Sequence, residues 1–326
     1  MNYRRLGRTD LRISELAFGC GRSGGILIDA DDRTKLGAVR LALDCGINWF
    51  DTAPQYGQGK SEEALGWLLR EVKATPCVST KVMIGPDDLG DIAGSVERSL
   101  HESLRRLRRE SVDLLQLHNR IAPHAGSRAV TADHVLGRGG VADGMERLRD
   151  QGLIAFMGLT ALGDRRETAR VIDSGRFDSA QVYYNMINPS AARDAMPPRW
   201  SGFDSTGIVA ACRAQDMGVM AIRVFAAGYL AAPERTGRES ILTADTDPES
   251  EARMAEAAFT DLGDAYGGRA QTAVRFALSN AEVSTAIIGL AAPSHLSDAS
   301  AAADRGPLPE DAMQRLERLY ERGFAA

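Results

Sequence analysis

The feature that most constrains this chain is a joint that recurs four times, in which a helical pattern closes on glycine and a short apolar run follows at once. It stands at Gly46 before INWF, Gly152 before LIAFMG, Gly175 before RFDSAQVYY and Gly218 before VMAIRVF. Glycine suits the left-handed position just past a helix C-terminus. An apolar, often β-branched run without polar alternation reads as a strand buried on both faces. Leu16 to Phe18, Val78 to Thr80, Val112 to Leu117 and Val283 to Ile288 are further runs of this type.

Helical spacing fills the intervals. Leu36, Val39 and Leu43 form one stripe, and Leu89, Ile92, Val96, Leu100, Leu104 and Leu107 form the longest, in steps of three or four. Asp164 followed by Glu167 reads as a capping box. Eight strands alternating with helices predict an α/β fold, a parallel (β/α)8 barrel of the TIM type. A doubly wound open sheet is the alternative, but no GxGxxG follows the first strand.

Around this frame the first fifteen residues, with apolar Tyr3, Leu6, Leu11 and Ile13 about a Gly7-Arg8-Thr9-Asp10 turn, predict an N-terminal β-hairpin. A last helical pattern, Pro309 to Arg322, predicts an extra C-terminal helix packed across one end. Two stretches, Ala122 to Gly140 and Ala231 to Pro248, read as loops on the face where barrel active sites are built. The 326 residues are expected to form a single domain, 1–326, a length that barrels reach in one piece.

Charge and composition exclude several roles. A net charge of −5 carries no basic footprint for nucleic acid. Arg105, Arg106, Arg108 and Arg109 interleave with leucines and read as the solvated end of a helix. The most apolar run, Val219 to Ala232, contains Arg223 and is too short for a membrane span. The N-terminus has no apolar signal region. Cys20, Cys45, Cys77 and Cys212 are scattered and suit a reducing compartment, so a cytoplasmic protein is expected. The five histidines, His101, His118, His124, His134 and His295, show no metal-ligand spacing, and no metal is expected.

Four polar residues fall where strands end: Asp51 and Tyr56 after the second, Lys81 at the third, His118 at the fourth. Each alone has a bland reading: a helix cap, a packed ring, a surface lysine, a core histidine. Together, at successive strand ends, they have a chemical logic. A phenol titrates near 10, a neighbouring ammonium lowers that value, a carboxylate holds the ammonium, and a histidine donates to a carbonyl oxygen. This is a proton relay to an oxygen gaining charge.

At these residues the chain resembles the aldo-keto reductase family. The resemblance is carried by FDTAPQYGQGKSEEALG at 50–66, STK at 79–81 and SVDLLQLHN at 111–119. LRDQGLIAFMGLT at 148–160, QVYYN at 181–185 and IIGLAAPSHLSD at 287–298 add to it. It implies an eight-stranded α/β barrel closed below by the hairpin, with Asp51, Tyr56, Lys81 and His118 as catalytic tetrad. Tyr56 would be the general acid–base, with hydride from NADP(H) or NAD(H).

The resemblance also implies cofactor contacts. Thr160 and Ala161 stand where the family has a Ser-Asn pair at the nicotinamide carboxamide, and Gln181 matches its glutamine. Ile222 replaces a tyrosine that stacks under the ring. Arg223 stands at a position near the pyrophosphate, where an arginine suits a dianion. Gly289, His295 and Asp298 match positions around the adenosine phosphate, and with so little basic charge there NADP and NAD both stay open. Trp49, Gln55 and the loop after Leu117 are expected to line the substrate mouth.

The reading is an NAD(P)-dependent oxidoreductase for a small-molecule carbonyl or alcohol partner. AIRVFAAGYL at 221–230 is closer to sugar-dehydrogenase-like members than to aldose reductases, which leans toward an aldose or similar aldehyde. No nucleic-acid or membrane partner is expected, and the chain is read as a monomer or a weak homo-oligomer. The alternative is a cofactor-binding regulatory subunit of the same fold, similar to channel β-subunits, with little turnover.

Overall fold

The computed structural model describes residues 1–233 and 247–325. Its centre is a closed barrel of eight parallel strands. In chain order these are β1 (Leu16–Gly19), β2 (Trp49–Asp51), β3 (Cys77–Val82), β4 (Val112–Leu117), β5 (Ile154–Ala161), β6 (Ser179–Tyr183), β7 (Gly218–Ile222) and β8 (Val283–Gly289). Each pairs with the next, and β8 closes on β1 through Ala286 opposite Leu16. Helices such as Asp32–Asp44, Lys60–Val72 and Ile92–Leu107 connect consecutive strands and bury their apolar stripes on the barrel wall.

The glycine joints form as expected at Gly46, Gly152 and Gly175, whose φ values are 85°, 73° and 70°. Gly218 does not. There Asp216 takes the left-handed position at φ 49°. Gly218 instead opens β7, where a Cβ would lie 2.3 Å from Leu6 Cδ1, so its smallness serves packing against the hairpin.

The N-terminal hairpin pairs Tyr3 with Ser14 and Arg5 with Arg12. Leu6 and Ile13 drive into the barrel floor beside Trp49, Leu114, Met220 and Ile287. Arg4 fastens the hairpin by donating to the carbonyls of Leu278, Asn280 and Val283, and it pairs with Glu15. Arg8 does the same with the carbonyls of Gly175 and Phe177 and with Asp178.

The longest stripe begins later than its spacing suggests. Leu89 is exposed in a short turn, and the helix starts at Ile92 behind the N-cap Asp91. Asp164 caps its helix by accepting from the backbone N–H of Arg166 and Glu167. The final helix, Glu310–Arg322, is held by Tyr320 donating to the Met186 carbonyl and by an Arg193–Glu317 pair. The loop 122–140 contains a short helix, Ala132–Leu136. Of the loop 231–248, residues 234–246 lie outside the described residues. Among the described residues no helix is long and apolar enough to cross a membrane, and no cluster of three or more His, Cys, Asp or Glu is arranged to hold a metal.

Candidate active site

Strand alternation sets the site. Trp49 and Asp51, Ser79 and Lys81, and Leu114 and Gln116 are i, i+2 pairs, so each pair faces one side of its strand. Lys81 sits opposite Gln116 in register. The chain leaves β2 at Asp51 and turns through a loop that carries Tyr56. His118 follows β4, where its backbone N–H donates to the Val82 carbonyl.

These elements bring the four predicted residues together. Lys81 Nζ lies 2.6 Å from Asp51 Oδ2 and donates to the Thr52 carbonyl at 2.8 Å. It also stands 4.8 Å from the centre of the Tyr56 ring. The rings of Tyr56 and His118 meet edge to face, 5.8 Å between centres. His118 Nδ1 is 3.2 Å from Gln55 Oε1. Gln55, expected in the mouth, is exposed there beside His118.

Burial and charge shape their protonation. Burial lowers His118 to about 3, with Lys81 and Arg128 adding to the effect, so the imidazole is neutral at physiological pH. Burial works against the Lys81 ammonium, but Asp51 and Tyr56 outweigh it and the net direction is up. Burial also pushes the Tyr56 phenol up, and Lys81 opposes that push without overcoming it. Lys81 thus lowers the Tyr56 value as expected, but desolvation is the larger effect and the net direction is up.

Two expectations fail on position. Trp49 is fully buried and packs in the floor with Leu6 and Ile13, one layer below Asp51, so it does not line the mouth. Its indole N–H donates to Ser79 Oγ at 3.0 Å. Arg223, expected to face a pyrophosphate, is turned inward: its guanidinium is 3.5 Å from Glu251 and lies over the Tyr183 ring. Glu251 also accepts from the Tyr183 hydroxyl at 2.5 Å. Glu251 belongs to the helix Pro248–Leu262, far along the chain, and nothing in its local sequence signals this contact.

The other predicted cofactor positions cluster on the same face. Thr160, one residue before the end of β5, and Gln181, in the middle of β6, are register partners. The Thr160 hydroxyl is buried and makes no hydrogen bond among the described residues, which suits a group that brings its own donor or acceptor. Ala161 ends β5, next to Thr160. Ile222 ends β7 and packs with Leu162, Tyr183 and Phe203. Gly289 ends β8 against Gly24, 3.3 Å from a Cβ there to the Gly24 nitrogen. His295 and Asp298 are exposed on the first turns of the helix Pro293–Asp304, whose N-cap, Ala292, offers no side-chain acceptor. An uncapped helix start on the loop side of a barrel is suited to an anion.

The sequence reading did not anticipate Ser79 and Gln116. Both donate to Asp51 Oδ1, at 2.7 and 3.0 Å, and Gln181 Nε2 joins them at 2.7 Å. The available signal was alternation: each lies two residues before Lys81 or His118.

The family description "Aldo/keto reductase family" matches residues 15–321. This chain belongs to the aldo/keto reductase family. Among curated relatives of this aldo/keto reductase, L-galactose dehydrogenase of Arabidopsis thaliana is 26% identical over 308 residues, 93% of this chain and 88% of that one. A probable voltage-gated potassium channel subunit beta of Oryza sativa subsp. japonica is 33% identical over only 124 residues, 36% of this chain, which spans 37% of that relative's length. An aldo-keto reductase from Klebsiella pneumoniae, solved in complex with NADPH, superposes with a TM-score of 0.70 at 21% identity, covering 98% of this chain and 95% of that one. At that identity the likeness speaks for the fold.

Proposed function

We propose that this aldo/keto reductase is an NAD(P)-dependent oxidoreductase that interconverts a carbonyl and an alcohol, with Tyr56 as general acid–base. The observation that carries the reading is the buried Lys81 ammonium held between Asp51 Oδ2 and the Tyr56 ring. A bound nicotinamide supplies or accepts the hydride. Thr160 and Gln181 would hold its carboxamide, Ile222 would pack against its ring, and the loop and helix start from Gly289 to Asp298 would take its phosphates. The orphaned Thr160 hydroxyl and the uncapped helix at Pro293 support that fit.

In the reducing direction Tyr56 gives its proton to the substrate oxygen, and Lys81 stabilises the phenolate left behind. The neutral His118 orients the oxygen from the other side. Gln55 Oε1 faces Nδ1 at 3.2 Å; with the Gln55 amide turned by half a rotation its N–H₂ would face Nδ1 instead, and the ring proton would then sit on Nε2, free to donate to the substrate oxygen. The likeness to the L-galactose dehydrogenase of Arabidopsis thaliana supports a sugar-like substrate, so an aldose or polyhydroxy aldehyde is proposed. The four free cysteines suit a cytoplasmic setting.

The test is a fluorescence titration with NADPH and NADH, followed by steady-state assays on a panel of aldoses, aldehydes and ketones. Binding with no turnover across the panel would instead support the channel-subunit reading, whose match is confined to a third of the chain.

A further inference from the structure

Resting on the reading of Tyr56 as the acid–base, we propose that Gln116 is a positioning residue of the relay: its amide N–H on Asp51 Oδ1 sets how strongly that carboxylate opposes the Tyr56 phenolate. The geometry is asymmetric. Asp51 Oδ2 faces the Lys81 ammonium at 2.6 Å, while Oδ1 accepts three neutral donors from Ser79, Gln181 and Gln116. The titratable and charged groups facing Tyr56 are Lys81 on β3, Asp51 on β2, Cys20 just past β1 and His118 just past β4. Burial keeps the Cys20 thiol and the His118 ring neutral. Two charges of opposite sign then act on the phenol, and any donor that spreads the negative one favours the phenolate.

Gln116 has features of a side chain kept for this purpose rather than for stability. It is fully buried, yet its Oε1 makes no hydrogen bond among the described residues. An unpaired buried acceptor costs free energy, so an apolar side chain of the same length would pack there at less cost. Space is made for it as well. Gly158 sits opposite in register, and a Cβ there would lie 3.0 Å from Gln116 Cγ. Ser79 is the second donor, and Trp49 holds it by donating its indole N–H to Ser79 Oγ.

The experiment follows Tyr56 directly. Protein labelled with [ζ-13C]tyrosine is titrated by NMR, the Tyr56 resonance being the one missing from Tyr56→Phe. Gln116→Met keeps length and removes the donor. Its Tyr56 midpoint should rise by roughly half a unit, a part of the one to two units that a hydrogen bond to a charged group is worth. The alkaline limb of kcat/KM for reduction should move up with it, while thermal stability is kept or gained. Ser79→Ala should shift the midpoint the same way. Ser179→Ala, which removes a buried hydroxyl of the same barrel interior that makes no contact with Asp51, should leave it in place. An unmoved midpoint in both Gln116→Met and Ser79→Ala, or an equal shift in Ser179→Ala, overturns the assignment. The NMR readout needs neither cofactor nor substrate, so its outcome is separable from a failure of turnover.

Discussion

Lys81 and Asp51 form a buried pair, 2.6 Å apart, with side chains 0% and 4% exposed. A buried pair of this kind is a poor source of stability, since desolvation offsets much of the attraction. Its value here lies in what it presents to its surroundings: a fixed ammonium beside a phenol.

Removing the phenol should therefore cost rate more than fold, whereas removing the ammonium, which strands the buried Asp51 carboxylate, should cost both. Tyr56→Phe keeps the ring and loses the proton; kcat should fall by ~10² to 10⁴, with cofactor affinity little changed. Lys81→Met should lower kcat as well. Because Lys81 is the group that pulls the Tyr56 value down against burial, its loss should move the alkaline limb of the reduction profile upward. Near-normal turnover of Tyr56→Phe in a steady-state assay would remove Tyr56 from the mechanism.

The Gln55 amide beside His118 Nδ1 selects the histidine's tautomer: its oxygen there takes Nδ1–H, while its N–H₂ turned there leaves the proton on Nε2 for the substrate. Gln55→Glu presents only acceptors, so the proton is drawn to Nδ1 and Nε2 can no longer donate to a carbonyl oxygen. Assayed near pH 8, this variant should lose about tenfold in kcat/KM, the worth of one hydrogen bond of about 1.4 kcal/mol. Gln55→Ala should lose less. The reverse order would place the donor elsewhere.

His118 also makes a pH prediction for stability. Its folded value, about 3, lies below the ordinary 6.5, so on acidification the unfolded chain binds a proton that the folded chain refuses. Stability should thus fall as the pH drops through the window from 6.5 to 3. Urea melts across that range should show a flatter dependence for His118→Asn than for the parent chain. Identical slopes would mean that the ring takes up its proton in the folded state.

Cofactor selectivity should separate two residues. His295→Arg adds a fixed charge able to bind phosphate in two-pronged fashion, so it should tighten NADPH and leave NADH nearly unchanged. Arg223→Ala removes a guanidinium that sits on Glu251 and the Tyr183 ring, so it should leave both cofactors nearly unchanged. Fluorescence-derived Kd values decide each case. An effect of His295→Arg on both cofactors, or an equal loss of both in Arg223→Ala, would relocate the phosphates.

The barrel was legible because its signals are local and repeat: glycine ends a helix, and an apolar run follows within a few residues. The meeting of Asp51, Tyr56, Lys81 and His118 was legible because they sit at successive strand ends, in an order the chain itself displays. Depth within the barrel was not. Alternation says that Trp49 and Asp51 face the same side but not which is floor and which is mouth; that depends on where the hairpin seats Leu6 and Ile13. Closure across the barrel was hidden too. Gln181 reaches Asp51 from 130 residues away, and Glu251 reaches Tyr183 from a separate helix. Such contacts are set by the geometry of the closed sheet, and no spacing in the sequence encodes them.

The hairpin gives the molecule a timetable. Arg4 leaves the ribosome long before the carbonyls that receive its guanidinium, which lie 274 to 279 residues downstream. At synthesis rates of about 5 to 20 residues per second, that is a wait of roughly 15 to 55 s. Through that interval Leu6 and Ile13 have no floor to enter, and the growing chain carries its future plug as exposed apolar surface. Sealing the barrel is thus a late act of a nascent chain, performed by a segment made before the strands it seals.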